Sequence, residues 1–327
     1  MHILIFGAAG MVGRKLIERL AKDGALGGKA ITKATLHDVV EPQAPAGAPF
    51  AVRAVSSDFA EEGEAEKLVT ERPDVIFHLA AIVSGEAEAD FDKGYRINLD
   101  GTRRLFDAVR LVGGGYRPRL VFTSSIAVFG APFPEAIHDE FFTTPLTSYG
   151  TQKAIGELLL ADYSRRGFFD GVGIRLPTIC VRPGKPNKAA SGFFSGIIRE
   201  PLAGQEAVLP VSEDVRHWHA SPRSAVGFLI HAATMDTGKL GARRNLTMPG
   251  IAATIAEQIE ALRRVAGDKV AARIRREPDE TIIKIVAGWP RNFDARRAES
   301  LGFKAEKSFD EIIRVHIEDE LRGTWAR

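Results

Sequence analysis

Residues 2–13 read HILIFGAAGMVG, and the interpretation of that stretch decides the fold. "HILIF" is a short apolar run of strand type, closed by Gly7. Val12, Leu16, Ile17 and Leu20 then recur at helical spacing. Between strand and helix lie Gly7, Gly10 and Gly13, spaced G-x-x-G-x-x-G rather than the commoner G-x-G-x-x-G. Glycine permits a tight turn and lets the backbone approach a pyrophosphate. The helix N-terminus, at Met11 and Val12, then offers free N–H groups and a positive dipole end to that anion. The alternative is a glycine-rich turn that binds nothing, and the strand–turn–helix context argues against it.

Working outward, "KATLHDV" (33–39), "FAVRAV" (50–55), "DVIFHLAA" (74–81), "RLVFTSS" (119–125) and "GVGIRLPTI" (171–179) read as further strands. Helical stretches near 60–72 and 87–112 separate most of them. Strand–helix alternation of this kind means right-handed crossovers and a parallel sheet. The expected fold is α/β, a Rossmann-type doubly wound parallel sheet with a smaller C-terminal substrate-binding lobe. Residues 1–180 are expected to bind the nucleotide and carry the catalytic groups. Residues 181–327 are expected to form mainly the lobe, with some segments returning to the sheet. The bulk numbers agree: 327 residues, 45% apolar, 26% charged and net charge +2, with no nucleic-acid or membrane surface suggested. The single cysteine, Cys180, excludes a disulfide framework and fits a cytoplasmic home. The apolar run of "MHILIF" stops at Gly7 without a cleavage pattern, and no run approaches the ~20 residues of a membrane helix.

Asp38 ends the second strand, where a carboxylate accepts from adenosine ribose hydroxyls. It would repel a 2′-phosphate, and Val39 and Val40 follow where an arginine would have helped one, so NAD is expected over NADP. "GGK" at 27–29 fails as a phosphate loop, because Asp23 and Ala30 stand where its glycine and hydroxyl belong. Asp58, after the third strand, is either a partner for the adenine amine or a solvated loop residue.

"SYGTQK" (148–153) puts Tyr149 and Lys153 one helical turn apart. A phenol titrates near ~10, and a neighbouring ammonium favours its anion. Ser125, closing the fifth strand, can orient the reacting oxygen. The three make a relay in which Tyr149 takes an alcohol proton while hydride leaves carbon. Such a pair on an exposed helix usually means nothing; the glycine turn, Asp38 and Ser125 in the same chain favour catalysis.

On "GAAGMVG", "HLAA", "NLDGT", "TSSIAVFG" and "YGTQK" the chain resembles the extended short-chain dehydrogenase/reductases along most of its length. The resemblance implies Ser125, Tyr149 and Lys153 as the catalytic set, with Lys153 also reaching the cofactor. It implies Leu79, Ala80 and Ala81 lining NAD, Asn98 near that strand end, and Pro177 and Thr178 near the nicotinamide. His78 is expected to be a core histidine. The family includes nucleotide-sugar epimerases, but Thr178 stands where they carry an asparagine, and Phe129 replaces a common tyrosine. The stretches "HLAAIVSGEAE", "RLPTICVRPGKPN", "SGFFS" and "RHWHASPRSAVGF" resemble a branch oxidising a four-carbon sugar acid at C2. Arg182, Lys185, Lys188 and Arg216 supply cations in the lobe, and Arg182 and Arg216 are the expected carboxylate clamps. Ser84 and Thr178 are expected at substrate hydroxyls, alongside Ser125 and Tyr149. "HWH" (217–219) is weak evidence for metal, and no metal is expected. A non-catalytic dinucleotide sensor would usually have lost the Tyr/Lys pair. The resemblance further implies a homodimer through helices 90–112 and 150–165.

Overall fold

The computed structural model describes residues 1–184 and 190–326. Lys185 and Lys188 lie outside them. Seven strands make the main sheet: β1 (His2–Phe6), β2 (Lys33–Asp38), β3 (Ala51–Ser56), β4 (Val75–His78), β5 (Arg119–Ser125), β6 (Asp170–Leu176) and β7 (Asn245–Thr247). All pairs are parallel, in the order β3-β2-β1-β4-β5-β6-β7. The chain winds outward from β1 to β3, then crosses to β4 and winds the other way, which is the Rossmann order. A crevice therefore opens between β1 and β4, at the carboxyl ends of the strands.

The central strands are apolar throughout because helices cover both faces. In β1, Ile3 and Ile5 pack with Leu16, Ile17 and Leu20, while Leu4 and Phe6 pack with Leu105, Phe106 and Val109. The sixth strand runs shorter than its sequence suggests. Pro177 has no N–H to continue the ladder, and Thr178–Ile179 moves to a second, three-stranded sheet with Arg216–Ala220 and Ile251–Thr254. A separate core of Val181, Phe194, Ile197, Ile255, Leu262 and Ile313 forms beside it. Beyond residue 181, β7 pairs with β6, and helix Pro222–Thr234 lays Ala225, Phe228 and Leu229 into the core under the main sheet. The stretch 87–112 is several segments rather than one helix. Asp90 caps a new turn at Lys93, and Tyr95–Gly101 is wound as a π-helix around the buried Asn98. No helix among the described residues is long and apolar enough to cross a membrane.

Candidate active site

The glycine turn is shaped by backbone contacts. Gly7 has φ +85°, and a Cβ there would lie 2.7 Å from the Ala80 nitrogen. A Cβ on Gly13 would lie 2.3 Å from the Gly7 carbonyl oxygen. Helix Met11–Asp23 starts right after Gly10, with no side-chain cap and no acidic residue in its first turn. Its leading N–H groups are thus left for an anion. Asp38 faces this turn: its carboxylate accepts from Ala9 N at 2.9 Å and from Val39 N at 2.8 Å. A cradle that side chains would fill, an uncapped helix start and an adjoining carboxylate fit a dinucleotide.

Leu79, Ala80 and Ala81 continue from β4 along this cradle, half-buried, with Leu79 N bonded to Phe6 O at 2.9 Å. Asn98 is too buried to line a groove. It brackets Ile82 instead, accepting from Ile82 N at 2.9 Å and donating to Ile82 O at 3.1 Å and to Gln152 Oε1 at 2.8 Å. Asp58 accepts from Ala60 N at 2.9 Å and from Arg96 Nη2 at 2.7 Å, so it is an ion-paired turn residue. His78 is a core residue among Phe6, Phe59 and Phe122, bonded to Thr102 Oγ1 at 2.8 Å.

Thr147 accepts from Gly150 N at 3.1 Å and so starts helix Ser148–Arg165 where Tyr149 and Lys153 share a face. Gly156 lets this helix approach β5: a Cβ there would meet the Phe122 ring at 2.8 Å. Ser125 ends β5 with its hydroxyl accepting from Ala127 N at 3.1 Å, and it lies close enough to Tyr149 to favour the phenolate. Lys153 Nζ donates to Thr123 O at 2.8 Å and stands 5.8 Å from the Tyr149 ring centroid. The electrostatics differ from the expectation that Lys153 lowers the phenol. Burial pushes Tyr149 up to about 12, and the opposing influences are the Ser125 hydrogen bond and the Arg182 charge. Burial also pushes Lys153 down to about 7, against the pull of Glu157. Lys153 is turned toward a strand carbonyl and is not among the groups that act on the phenol.

Glu157 and Gln152 are site residues that the sequence reasoning missed. One turn beyond Lys153, Glu157 is buried and accepts from Ser124 Oγ at 2.6 Å and from Arg175 through Nε at 2.9 Å and Nη2 at 2.7 Å. The pairing ties the catalytic helix to β5 and β6. Its only sequence signal is the helical interval Tyr149–Lys153–Glu157. Gln152 is fully buried and takes the Asn98 amide.

On the lobe side, Arg182 and Arg216 part company. Arg182 donates through Nε to Ile179 O at 3.1 Å and through Nη2 to Ser191 Oγ at 2.6 Å. It has no carboxylate partner among the described residues, its charge acts on Tyr149, and burial pulls it below the usual arginine range. Arg216 lies on a strand whose side chains alternate in direction. His217 and His219 turn toward Phe194, with centroids 5.3 and 4.8 Å away, whereas Trp218 meets Phe293 on the opposite face at 5.7 Å. Arg182 acts on His219, on the histidine face; Arg216 takes the Trp218 face, bonded to Ala252 O at 3.2 Å and paired with Glu257 at 3.4 Å. Of the two arginines, Arg182 is therefore the one whose charge acts on Tyr149. Thr178 is half-buried and bonded to His217 Nε2 at 2.7 Å, and Pro177 beside it is buried. Ser84 opens helix Ser84–Ala89, which stands beside the catalytic helix through Ser148 N donating to Glu88 at 2.9 Å. His217 and His219 are each engaged by other groups, and no cluster of three metal-ligating residues occurs among the described residues.

Fold and site together define a dinucleotide-dependent enzyme of the short-chain dehydrogenase/reductase type. Residues 3–234 match the model of the NAD dependent epimerase/dehydratase family, and the chain belongs to that family, as its motifs led one to expect. It is 48% identical over 323 residues to D-erythronate dehydrogenase of Cupriavidus necator, covering 98% of both chains. It is 43% identical over 321 residues to D-erythronate dehydrogenase of Haemophilus influenzae, covering 98% of this chain and 100% of that one. Among solved structures it is 72% identical to one described as a nucleoside-diphosphate-sugar epimerase from Agrobacterium tumefaciens, with TM-score 0.97 over 99% of this chain and 95% of that chain. The L-threonine dehydrogenase of Cupriavidus necator shares the fold, with TM-score 0.84 at 23% identity over 98% of this chain and 99% of that chain.

Proposed function

We propose that the chain oxidises D-erythronate at C2 to 2-oxo-tetronate with NAD; the two curated relatives at 48% and 43% identity are named D-erythronate dehydrogenase. One observation carries the substrate class: Arg182 is a half-buried guanidinium whose charge acts on Tyr149 and that lacks a carboxylate partner among the described residues. A buried charge without a counter-charge is costly. The carboxylate of a sugar acid supplies that counter-charge, and Arg182 still has N–H groups on Nη1 to offer it.

Residues 1–180 carry the nucleotide site and the catalytic groups; the rest mainly holds substrate. Gly7, Gly10, Met11, Val12 and Gly13 would hold the pyrophosphate of NAD, and Asp38 its adenosine ribose. Asp58 would lie at the adenine, and Leu79, Ala80, Ala81, Pro177 and Thr178 would line the remaining course, with Asn98 fixing its wall. Tyr149 accepts the C2 hydroxyl proton, Ser125 holds the same oxygen, and Lys153 completes the proton path and reaches the nicotinamide ribose. NAD, when bound, supplies the acceptor for the C2 hydride. Ser84 and Thr178 hold the remaining hydroxyls. The chain works in the cytoplasm as a homodimer, which the exposed Phe91, Leu111 and Leu158 on the helices near 91–112 and 148–165 favour; light scattering tests the dimer.

The description of the 72% identical structure favours a second reading, epimerisation of a nucleotide sugar. Thr178 in place of that branch's asparagine speaks against it. An absorbance assay at the NADH band, with D-erythronate, other aldonates and UDP-sugars each offered with NAD, separates the two. NADH formation with D-erythronate supports the first reading. A UDP-sugar converted without net NADH, with aldonates inert, overturns it.

A further inference from the structure

Thr178 and His217 form a connected pair at the edge of the site. The Thr178 hydroxyl lies 2.7 Å from His217 Nε2, and His217 Nδ1 lies 2.7 Å from the Pro290 carbonyl oxygen. A carbonyl only accepts, so Nδ1 must carry the hydrogen. In the neutral ring Nε2 is then a bare acceptor, and the threonine hydroxyl must donate to it. Burial favours this neutral form by pushing His217 down to about 4. The ring has little freedom to turn: Phe194 stacks on it at 5.3 Å and 9°, and Trp289 lies 5.3 Å away. With its proton committed, the half-buried Thr178 oxygen can only accept from a ligand.

Resting on the sugar-acid reading above, we propose that His217 is a specificity-determining positioning residue. Through Pro290 it sets Thr178 as an obligate acceptor that selects a substrate carrying a hydroxyl beside the oxidised carbon. Leu176 pairs with Ser125 in the β5–β6 register, so Thr178, two residues further on, stands at the strand end that carries Ser125. A site built to take a substrate O–H rejects the analogue lacking it far more strongly than a hydrophobic pocket would, because the committed acceptor is left unpaired. His217 touches neither substrate nor NAD; it acts through Thr178.

The test uses the full-length protein with NAD and compares kcat/KM for D-erythronate with that for its 3-deoxy analogue, 2,4-dihydroxybutanoate. The wild type should prefer the 3-hydroxylated acid by on the order of 100-fold or more. Thr178→Val and His217→Phe should each cut that preference by roughly tenfold, mostly by loss on D-erythronate. Joining the two changes should add little to Thr178→Val alone. His217→Gln, which returns an acceptor near the Nε2 position, should recover part of the preference. Nitrogen NMR of labelled His217 should report a protonated Nδ1 and a bare Nε2, a state independent of turnover. A preference unchanged in both single variants, or a protonated Nε2, overturns the inference. If D-erythronate is oxidised while the preference ignores these variants, only this inference falls. If no hydroxy acid is oxidised, the sugar-acid reading falls and takes the inference with it.

Discussion

On the proposed reading, the glycine turn and the Arg182 corner bind by opposite means. At the turn, backbone makes the site: Gly7 and Gly13 have no room for a Cβ, and the helix start is bare of caps. At Arg182, one half-buried side chain makes it, and its neighbours answer it with neutral oxygens. The turn should therefore be sensitive to any added atom, whatever its chemistry. The corner should be sensitive to charge and indifferent to modest changes of shape. On the proposed reading Tyr149 works between the two, and the Arg182 charge acts on it.

The largest effect should come where the two regions meet. Tyr149→Phe should lower kcat for D-erythronate by about 10³-fold or more, within the range of a lost general base, while NAD still binds by calorimetry. Retained turnover would remove Tyr149 from the chemistry. At the turn, Gly13→Ala should weaken NAD by roughly 100-fold, because the new methyl must displace the Gly7 carbonyl; a folded variant with unaltered NAD affinity would break the contrast. Asp38→Asn keeps the shape and removes the charge, so it should narrow the preference for NAD over NADP about tenfold or more in kcat/KM. On the lobe side, Arg216→Ala should change KM for D-erythronate by less than about threefold, since Arg216 is partly exposed and already paired with Glu257.

The smallest effect expected is a pH shift. With Tyr149 raised to about 12, activity should still be climbing in the alkaline range, and removing the Arg182 charge should move that limb to higher pH, because the phenolate loses a stabilising cation. Acid stability has the opposite sense in both regions. Burial holds His78 near pH 3 and His217 and His316 near 4, so the unfolded chain binds more protons below about 6.5. Stability should fall as pH drops from 6.5 toward 4, read as a falling Tm.

The same contrast explains what the sequence made legible. Glycine spacing, a strand-end carboxylate and a Tyr/Lys pair one turn apart are local patterns, and a parallel sheet follows from strand–helix alternation. That the charge of Arg182 rather than Arg216 acts on Tyr149 was not legible. The direction of Arg216 is set by the pairing of Arg216–Ala220 with Ile251–Thr254, which is remote in sequence. Glu157 reads as a solvated helix residue until β6 brings Arg175 against it. The return of β7 to the sheet is too short to announce itself, and the π-helix at Tyr95–Gly101 depends on Asn98 reaching Ile82 and Gln152 across a loop.

The most direct measurement is a pair of constants for Arg182→Gln: kcat/KM for D-erythronate and Kd for NAD. A half-buried cation awaiting a carboxylate requires the first to fall by about 100-fold, the scale of a lost charge-assisted hydrogen bond left unpaired, with the second moving less than about twofold. Unchanged kcat/KM for D-erythronate, or an equal loss on neutral erythritol, would contradict it.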